Sequence, residues 1–422
     1  MDFLIRKAAA EDYEGLCAVI TATGRLALAL FVALPALTGN AEAQEGKETG
    51  AMVRFSERLI MGGFGYAYGL AVADLDKDGD LDVTAADADG RCLYWFENDG
   101  RGNFTRHVIQ EKHPQPRLER HAIGDVNRDG HPDVVIVENF HGDLLWFENS
   151  GRPSEGRLWK EHVITLGGLP SAYDVALADL DGDGDLDVAA SSWKGNAVAW
   201  FENAGAPGQG PWVKHLIDEN LPESRTIRVA DFNRDGRLDL LATGAAAKLV
   251  VWYEHPGDPR TQPWKRHIID NTSARPLHGQ PVDMDGDGDL DVVMAVGMGG
   301  DSQVGAVVWY ENNGRPEAGP WRKHVIAELL PQAFEAFAAD LDGDGQMEVV
   351  VTAWGQPGGV FLFKHEGEPR GRWRQQVLKS PWVRANQVVV ADLDGDGRPD
   401  IIAQAERGTN ELRWWRNEGR PR

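Results

Sequence analysis

The sequence is poor in cysteine, in long apolar runs and in basic residues, and each shortage excludes a class of protein. Two cysteines, Cys17 and Cys92, cannot build a disulfide framework. No apolar run is long enough to cross a bilayer. Lysine and arginine total 43 against 66 aspartate and glutamate residues, and the net charge of −23 argues against nucleic acid or an anionic membrane surface as a partner.

Glycine, proline and tryptophan are abundant instead. The 422 residues include 49 Gly, 22 Pro and 15 Trp, a composition that favours many short strands joined by turns over helices. An apolar content of 42% at this length is enough for a large core. We therefore expect an all-β fold.

The N-terminal region has the pattern of a secretory signal. Arg25 precedes an apolar run from Leu26 to Leu37, and a small-x-small cleavage site, Ala41-Glu42-Ala43, follows it. The segment ahead of Arg25 is similar to the opening of a GNAT-type acetyltransferase but is too short for that domain. We interpret it as a mis-assigned start or a fusion remnant. Residues 1–43 are thus predicted to be a presequence, residues 44–54 a linker, and the protein secreted or periplasmic.

Seven copies of one nine-residue loop organise the rest of the chain, at intervals of 51 to 57 residues. The copy from Asp179 to Asp187 has carboxylates at positions 1, 3, 5 and 9 and Gly184 at position 6. Calcium prefers several oxygen ligands, and alternate aspartates around a glycine bend supply them compactly. We predict a structural Ca²⁺ ion in each of these acidic loops, up to seven in all. The predicted ligands are Asp74, Asp76, Asp78 and Asp82; Asp125, Asn127, Asp129 and Asp133; Asp179, Asp181, Asp183 and Asp187; Asp231, Asn233, Asp235 and Asp239; Asp283, Asp285, Asp287 and Asp291; Asp340, Asp342, Asp344 and Glu348; and Asp392, Asp394, Asp396 and Asp400.

Each repeat also has the same sequence of four short strands. A strand such as LAVAD enters the loop, one such as LDVTAA leaves it, and strands such as LYWFEN and WKEHVI follow. Four strands in about fifty residues are typical of a propeller blade. Phe55 lies 19 residues before Asp74, at the spacing of a fourth strand, whereas the chain ends after the seventh third strand. Residues 55–60 are therefore predicted to complete the last blade, and residues 55–422 to form a closed seven-bladed propeller.

The loop pattern at blade spacing, together with Gly62-Gly63-Phe64-Gly65, resembles the FG-GAP/VCBS repeat family of seven-bladed propellers related to integrin α-subunit heads. The resemblance covers nearly all of the chain after residue 54. It implies that the calcium loops join first and second strands on one face. It also implies an opposite face, here called the entry face, formed by the segments that enter the first strands and by the turns between second and third strands.

Two recurring sets of residues are predicted to be scaffold. One tryptophan recurs in the third strands and is expected to lie in the core between blades: Trp95, Trp146, Trp200, Trp252, Trp309 and Trp414. One histidine recurs in the fourth strands and is not expected to bind metal: His107, His162, His215, His267 and His324.

The residues of the entry face differ from blade to blade, and these are the candidate functional residues. We expect them to converge around the mouth of a central channel, where concave sites with a few polar groups bind ligands. The candidate ligand-binding residues are Tyr68, Asp174, Trp193, Arg225, Glu335, Trp354, Asn386 and Gln387, and the candidate catalytic residues are Arg120, His121, Tyr173 and His278. Aromatic faces with Asp, Asn, Arg and His favour a sugar ligand.

Two classes of function stay open at this point. The first is a module that binds an extracellular carbohydrate or a protein on the entry face. The second is an enzyme, because the resemblance extends to propellers that are polysaccharide lyases or sugar dehydratases. A lyase needs a base, a cation that holds the enolate and an acid. These roles could be filled by Tyr173 or Tyr68, by His121 or His278, and by Arg120 or Arg225, and a metal site formed by His121, His278 and Glu335 is a further alternative. We expect a monomer that binds neither nucleic acid nor membrane.

Overall fold

The computed structural model describes residues 52–299 and 304–421, and these residues form β-strands connected by turns. One 3-10 turn, Pro316–Ala318, is present, and these two ranges contain no α-helix. Accordingly, no helix in the described part of the chain has the length and apolar character to cross a membrane. The predicted presequence, residues 1–43, and most of the predicted linker lie outside the described residues.

The strands are short, six to nine residues each. The first fourteen are β1 (Phe55–Gly62), β2 (Ala67–Ala73), β3 (Asp82–Asp87), β4 (Cys92–Asn98), β5 (Phe104–Gln110), β6 (Leu118–Gly124), β7 (Asp133–Glu138), β8 (Asp143–Glu148), β9 (Lys160–Thr165), β10 (Ala172–Ala178), β11 (Asp187–Ser192), β12 (Ala197–Glu202), β13 (Val213–Asp218) and β14 (Ser224–Ala230). They are followed by β15 (Asp239–Gly244), β16 (Leu249–Glu254), β17 (Lys265–Asp270), β18 (Pro276–Val282), β19 (Asp291–Val296), β20 (Gly305–Glu311), β21 (Arg322–Leu330), β22 (Ala333–Ala339), β23 (Glu348–Ala353), β24 (Gly359–His365), β25 (Trp373–Lys379), β26 (Ala385–Ala391), β27 (Asp400–Ala405) and β28 (Glu411–Asn417).

These strands pair in consecutive antiparallel groups of four. We number the groups as units in chain order, from unit 1 (β2–β5) to unit 6 (β22–β25), and unit 7 contains β26–β28 together with β1. Units 5 and 6 are also joined into one eight-stranded sheet by a parallel pair, His278 opposite Glu335. The predicted all-β class and the repeated four-stranded sheets of a β-propeller are confirmed.

In each unit the first two strands are more buried than the fourth. Every residue of β2, β6 and β10 is buried, and so is every residue of the second strands. Fourth strands such as β9 are partly exposed and carry Lys160 and Glu161 on their outer side. Charged side chains on an edge strand oppose pairing with another chain, which explains why polar residues concentrate there.

The hydrophobic core lies between units rather than inside one sheet. Trp95 of unit 1, for example, packs with Leu145, Phe147 and Trp159 of unit 2. The six recurring tryptophans of the third strands are all fully buried, so their predicted place in the core is confirmed. A four-stranded sheet with both faces apolar can bury them only by stacking against its neighbours.

The N-terminal strand belongs to the last unit. β1 pairs antiparallel with β28, and Phe55 lies opposite Asn417. The innermost strands contact one another in sequence from β2 through β6, β10, β14, β18 and β22 to β26, and β26 also contacts β2.

Candidate functional site

Each acidic loop connects the first and second strands of its unit, and its backbone is fixed by its own aspartates. In unit 1 the Gly79 N–H donates to Asp74 Oδ2 at 3.1 Å. Gly79 has a φ of +99°, a conformation that side chains disfavour, so position 6 needs glycine. The same bond from position 6 to position 1 recurs in all seven loops.

The loops bring carboxylate oxygens close enough to share a cation. In units 1, 3, 5 and 6, three carboxylates of the loop each place an oxygen within 4.8 Å of the others, among them Asp74, Asp76 and Asp78. A donor set made only of oxygen atoms suits a hard cation such as Ca²⁺. The carboxylates of these loops therefore fit the predicted ion wherever no cationic side chain occupies the same place.

The position-9 carboxylate is buried and holds the loop closed. Asp82 Oδ2 accepts the Leu75 N–H at 3.0 Å, and Asp82 Oδ1 accepts the Asn98 N–H at 2.9 Å. Burial raises the pKa of Asp82 to about 8, against the effect of these two hydrogen bonds. A cation within reach of such a group would compensate the loss of hydration.

On the entry face, the ten candidates that belong to the strand-entry segments lie in the strands and are buried. The most exposed of them is Arg225, at 7%. These side chains are therefore not exposed to solvent, because the first strands approach closely enough to exclude water from them. They are Tyr68, Arg120, His121, Tyr173, Asp174, Arg225, His278, Glu335, Asn386 and Gln387.

Five of these candidates nonetheless meet, together with one residue that was not predicted, Arg228. We call Arg120, Tyr173, Asp174, Arg228, His278 and Glu335 the channel cluster. They come from the first strands of units 2 to 6. Only the fold brings these strands together, because about fifty residues separate each from the next.

The channel cluster is held by buried ion pairs. Asp174 Oδ2 lies 2.6 Å from Arg120 Nη1 and 2.8 Å from Arg228 Nη1, and Arg228 Nη2 lies 3.3 Å from Glu335 Oε1. The rings of Tyr173 and His278 stack with centroids 5.9 Å apart. Buried charges of this kind are tolerated only when they are paired and hydrogen-bonded.

The remaining buried candidates are already engaged in the scaffold. His121 Nε2 lies 2.7 Å from Thr84 Oγ1 in unit 1. Asn386 Nδ2 donates to the Ala67 carbonyl at 3.0 Å, and Gln387 Oε1 accepts the Gly69 N–H at 2.8 Å. Both amides therefore connect unit 7 to unit 1. The hydroxyl of Tyr68 is buried and has no hydrogen-bond partner among the described residues.

The two candidate tryptophans of the turns are the reachable ones. Trp193 and Trp354 are half-buried, whereas every other tryptophan except Trp373 is buried. Each lies against an arginine: Arg225 is 4.8 Å from the ring centroid of Trp193, and Arg384 is 5.0 Å from that of Trp354. The two tryptophans are thus aromatic surfaces with a guanidinium beside them.

A cluster around Tyr66 on the entry face was missed. Arg117 and Arg407 lie 5.0 and 4.2 Å from the Tyr66 ring centroid. The buried carboxyls of Glu119 and Glu406 each have one oxygen without a hydrogen-bond partner among the described residues. Burial raises the pKa of Glu119 to about 8 and that of Glu406 to about 7. The signal in the sequence was weak, since neither glutamate belongs to a repeated position or a motif.

The predicted acid–base residues are poorly placed for catalysis. Burial lowers the pKa of His121 to about 4 and, with the neighbouring arginines, holds the pKa of His278 well below its usual value. Both imidazoles are thus neutral and weak bases at pH 7. Tyr173 is 1% exposed, and its hydroxyl accepts a hydrogen bond from Arg225 Nη1 at 2.7 Å. Within the described part of the chain, Tyr173, His121 and His278 are thus all buried away from solvent.

One groove lies away from the entry face. It has a volume of about 650 Å³ and is lined by Val53, Phe55, Gln376, Leu378 and Trp415, among others, where β1 meets β25 at the outer edge. None of the predicted site residues lines it.

Comparison with known proteins gives a fold neighbour and a family. No curated protein matches the sequence. Among solved structures, a lectin of Agrocybe aegerita, described as recognising non-reducing terminal N-acetylglucosamine, superimposes with a TM-score of 0.51 at 18% identity. The match covers 74% of this chain and 79% of the lectin and is evidence for the fold alone.

The repeats themselves match a described family over more than half of the chain. FG-GAP-like repeats are found at residues 74–136, 125–190, 231–294, 283–351 and 340–403. Each matched segment begins at position 1 of an acidic loop and runs into the loop or second strand of the next unit. The chain therefore belongs to the FG-GAP-like repeat family.

Proposed function

We propose that this protein is an exported, calcium-stabilised propeller of seven blades, closed by β1, that binds a carbohydrate on the entry face. The half-buried tryptophans Trp193 and Trp354 carry the proposal, because they are the aromatic surfaces that a sugar ring on this face could reach. The lectin neighbour has the same kind of fold and adds plausibility to a carbohydrate ligand.

The proposed architecture is supported by the strand pairing at the chain ends. β1 supplies the fourth strand that β26–β28 lack, and the contact between β26 and β2 joins unit 7 to unit 1. Closure leaves no free sheet edge between units.

Calcium binding is supported by the loop geometry. The carboxylates of one loop converge around a common point, and a glycine bend holds them there. Clustered like charges raise the energy of the metal-free loop, so a bound dication would stabilise the folded protein.

Export is supported by the signal pattern of residues 25–44. N-terminal sequencing of protein recovered outside the cytoplasm should give a chain that begins at Gln44. A protein retained in the cytoplasm with an uncut N-terminus would contradict export.

Carbohydrate binding is tested on a glycan array followed by calorimetry with the best ligand. Replacing Trp193 or Trp354 by alanine should weaken binding about tenfold or more, since lost stacking on one aromatic face is worth roughly 1.4 kcal/mol or more. Trp373→Ala is the matched control, because that half-buried tryptophan begins β25 and lies outside the entry face. If the Trp193 and Trp354 variants bind as tightly as the parent, the proposed site is wrong.

A second experiment distinguishes carbohydrate binding from catalysis. Incubation with uronate-containing polysaccharides would reveal a lyase through growing ultraviolet absorbance, because elimination creates a double bond conjugated to a carboxyl group. We expect no such absorbance, since the acid–base candidates are buried. A lyase signal abolished by Tyr173→Phe would replace the binding function with the enzymatic one.

A further inference from the structure

The end of the third strand distinguishes the last two units from the first five. In units 1 to 5 a glutamate follows the last aromatic residue of this strand: Glu97, Glu148, Glu202, Glu254 and Glu311. The same position is occupied by Lys364 in unit 6 and by Arg416 in unit 7. A negative charge beside the acidic loop is thus replaced by a positive one.

In the first five units this glutamate is part of a recurring contact. Glu97 Oε2 lies 2.7 Å from His107 Nε2, and the His107 ring stacks on Trp95. The same arrangement recurs in units 2 to 5. The glutamate also lies beside the loop, because Arg260 contacts both Glu202 and Asp181, and Arg370 contacts both Glu311 and Asp285.

Unit 6 has lost the whole arrangement. Leu362 stands in the place of the tryptophan and pairs with Gln376, which stands in the place of the histidine. In unit 7 the tryptophan is kept as Trp414, but its cross-strand partner is Arg58. The lysine and the arginine therefore replace the glutamate in the two units that also lack the histidine.

Lys364 enters the acidic loop of unit 6. Its Nζ lies 2.7 Å from Asp342 Oδ2, 2.8 Å from Asp344 Oδ2 and 2.6 Å from Glu348 Oε1. These are loop positions 3, 5 and 9, three of the four side-chain positions predicted to bind the metal. An ammonium group has three N–H donors, and here each one has its own carboxylate.

Arg416 does the same in unit 7. Its guanidinium contacts Asp394, at position 3, and Asp396, at position 5. Arg398 of the same loop also contacts Asp396. Arg416 belongs to β28, so its guanidinium group is positioned by a strand next to the loop.

Arginines also reach the loops of units 3 and 5, but in a different way. Arg260 contacts Asp181 and Asp183, and Arg370 contacts Asp285. Both come from exposed turns of a following unit, and each is also paired with the glutamate of the third strand, Glu202 or Glu311. Each is thus shared between the loop and a glutamate outside it, whereas Lys364 and Arg416 belong to a strand of the same unit as the loop that they contact.

We propose that the acidic loops of units 6 and 7 bind no calcium, because Lys364 and Arg416 provide the positive charge there. Calcium is then bound by the five loops of units 1 to 5. This inference rests on the proposed calcium binding and corrects the number of ions from up to seven to five. Unit 7, which contains the N-terminal strand β1, and the adjacent unit 6 are therefore independent of calcium.

The stoichiometry of calcium binding tests the inference. Metal-stripped protein is titrated with CaCl₂ in a calorimeter, and bound calcium is measured by elemental analysis after dialysis. We expect five ions per chain. Seven ions, or any number above zero other than five, would overturn the assignment of loops, whereas zero ions would overturn the proposed calcium binding itself.

Variants identify which loops are involved. Lys364→Glu restores the residue of the other five units and should raise the count to six, and Arg416→Glu should do the same for unit 7. Lys364→Met is the matched control for loss of the ammonium group without a new carboxylate. A folded Lys364→Glu protein, judged by its near-ultraviolet circular dichroism, that still binds five ions would contradict the role of Lys364.

Hydrogen exchange gives a readout that needs no variant. When EGTA removes calcium, the amides of the loops in units 1 to 5 should lose protection, and those in units 6 and 7 should keep it. Equal loss in all seven loops would refute the inference.

Discussion

At the scale of single residues, the asparagine that ends or directly follows most third strands connects neighbouring units. Asn203 takes part through two groups: its backbone N–H donates to Asp187 Oδ1 at 2.8 Å, and its Nδ2 donates to the Val126 carbonyl of the preceding unit at 3.0 Å. Asn98, Asn149, Asn312 and Asn417 make the corresponding bonds, and His255 makes one through Nε2. One side chain thus joins its own acidic loop to the adjacent one.

Replacing Asn203 by alanine should lower the free energy of unfolding by about 1–3 kcal/mol, because the buried Val126 carbonyl loses its hydrogen-bond donor. Denaturant unfolding in saturating calcium measures this change. Asn103→Ala is the control, since Asn103 is exposed and bonds only within its own turn. A loss no larger than that of the control would show that the contact between units contributes little.

Glu119 should make stability depend on pH. Burial raises the pKa of Glu119 to about 8 from an ordinary value near 4.5, so the folded state favours the protonated carboxyl. Its contribution is complete below about pH 4.5 and is lost as the pH rises through about 8. Glu119→Gln removes this contribution. The melting temperature of the variant relative to the parent, in saturating calcium, should therefore rise between pH 5 and pH 9. A constant difference would contradict the shift.

At the scale of strands, β1 joins the beginning of the described chain to its last unit by pairing with β28. It covers one side of β28 through seven paired positions, from Phe55–Asn417 to Gly62–Glu411. It also contributes Phe55 to the core between units 6 and 7, which contains Trp382 and Trp415. Without β1, the β28 edge would present unpaired backbone groups to solvent.

Deleting residues 55–60 should therefore produce a protein that aggregates or melts at a much lower temperature. Deleting residues 1–43 should leave the melting temperature unchanged, because the proposed fold begins after them. Both are measured by differential scanning calorimetry and light scattering. A shortened protein that lacks 55–60 and still melts like the parent, without association, would show that the last unit does not need β1.

The strands were predictable because their signals repeat. The spacing of Phe55 before Asp74 matched the spacing of Trp212 before Asp231, and this placed a strand at 55–60, within the observed β1. The place of Trp95 and Trp146 in the core followed from their recurrence at one phase of the third strand. Contacts made by unrepeated residues were not predictable. Arg228 lies on a first strand in a position with no motif, and only the fold brings it to Asp174 and Glu335.

At the scale of the whole molecule, calcium is expected to set the stability. One site contributes about 2.7 kcal/mol when free calcium is a hundredfold above the dissociation constant, and several sites act on one cooperative fold. Adding EGTA should lower the melting temperature by more than about 10 °C, and excess Ca²⁺ should restore it. The hypothesis of structural calcium is falsified if metal-stripped protein melts at the same temperature with and without calcium.

The candidate binding face was predicted only in part. Sequence reasoning placed Trp193 and Trp354 in turns, and the structure leaves them reachable. The same reasoning could not tell that Tyr173 and His278 would be buried. The entry segments have the same phase in every unit, and the degree of their burial depends on how closely the first strands approach one another. That distance follows from the packing of all units together and has no local signal.

The contacts between units made by these asparagines can form only in a certain order during translation. Asn149, Asn203 and Asn417 each bond to a carbonyl that precedes them in the chain, so each partner has already left the ribosome when the asparagine emerges. Asn98 bonds to the Leu393 carbonyl, 295 residues later. The boundaries between successive units can thus form during translation, whereas the flank of unit 1 stays uncovered until Leu393 of unit 7 has emerged. A nascent chain of this protein would expose one apolar surface while units 2 to 6 are made, and a chaperone that binds there would be released by the arrival of unit 7.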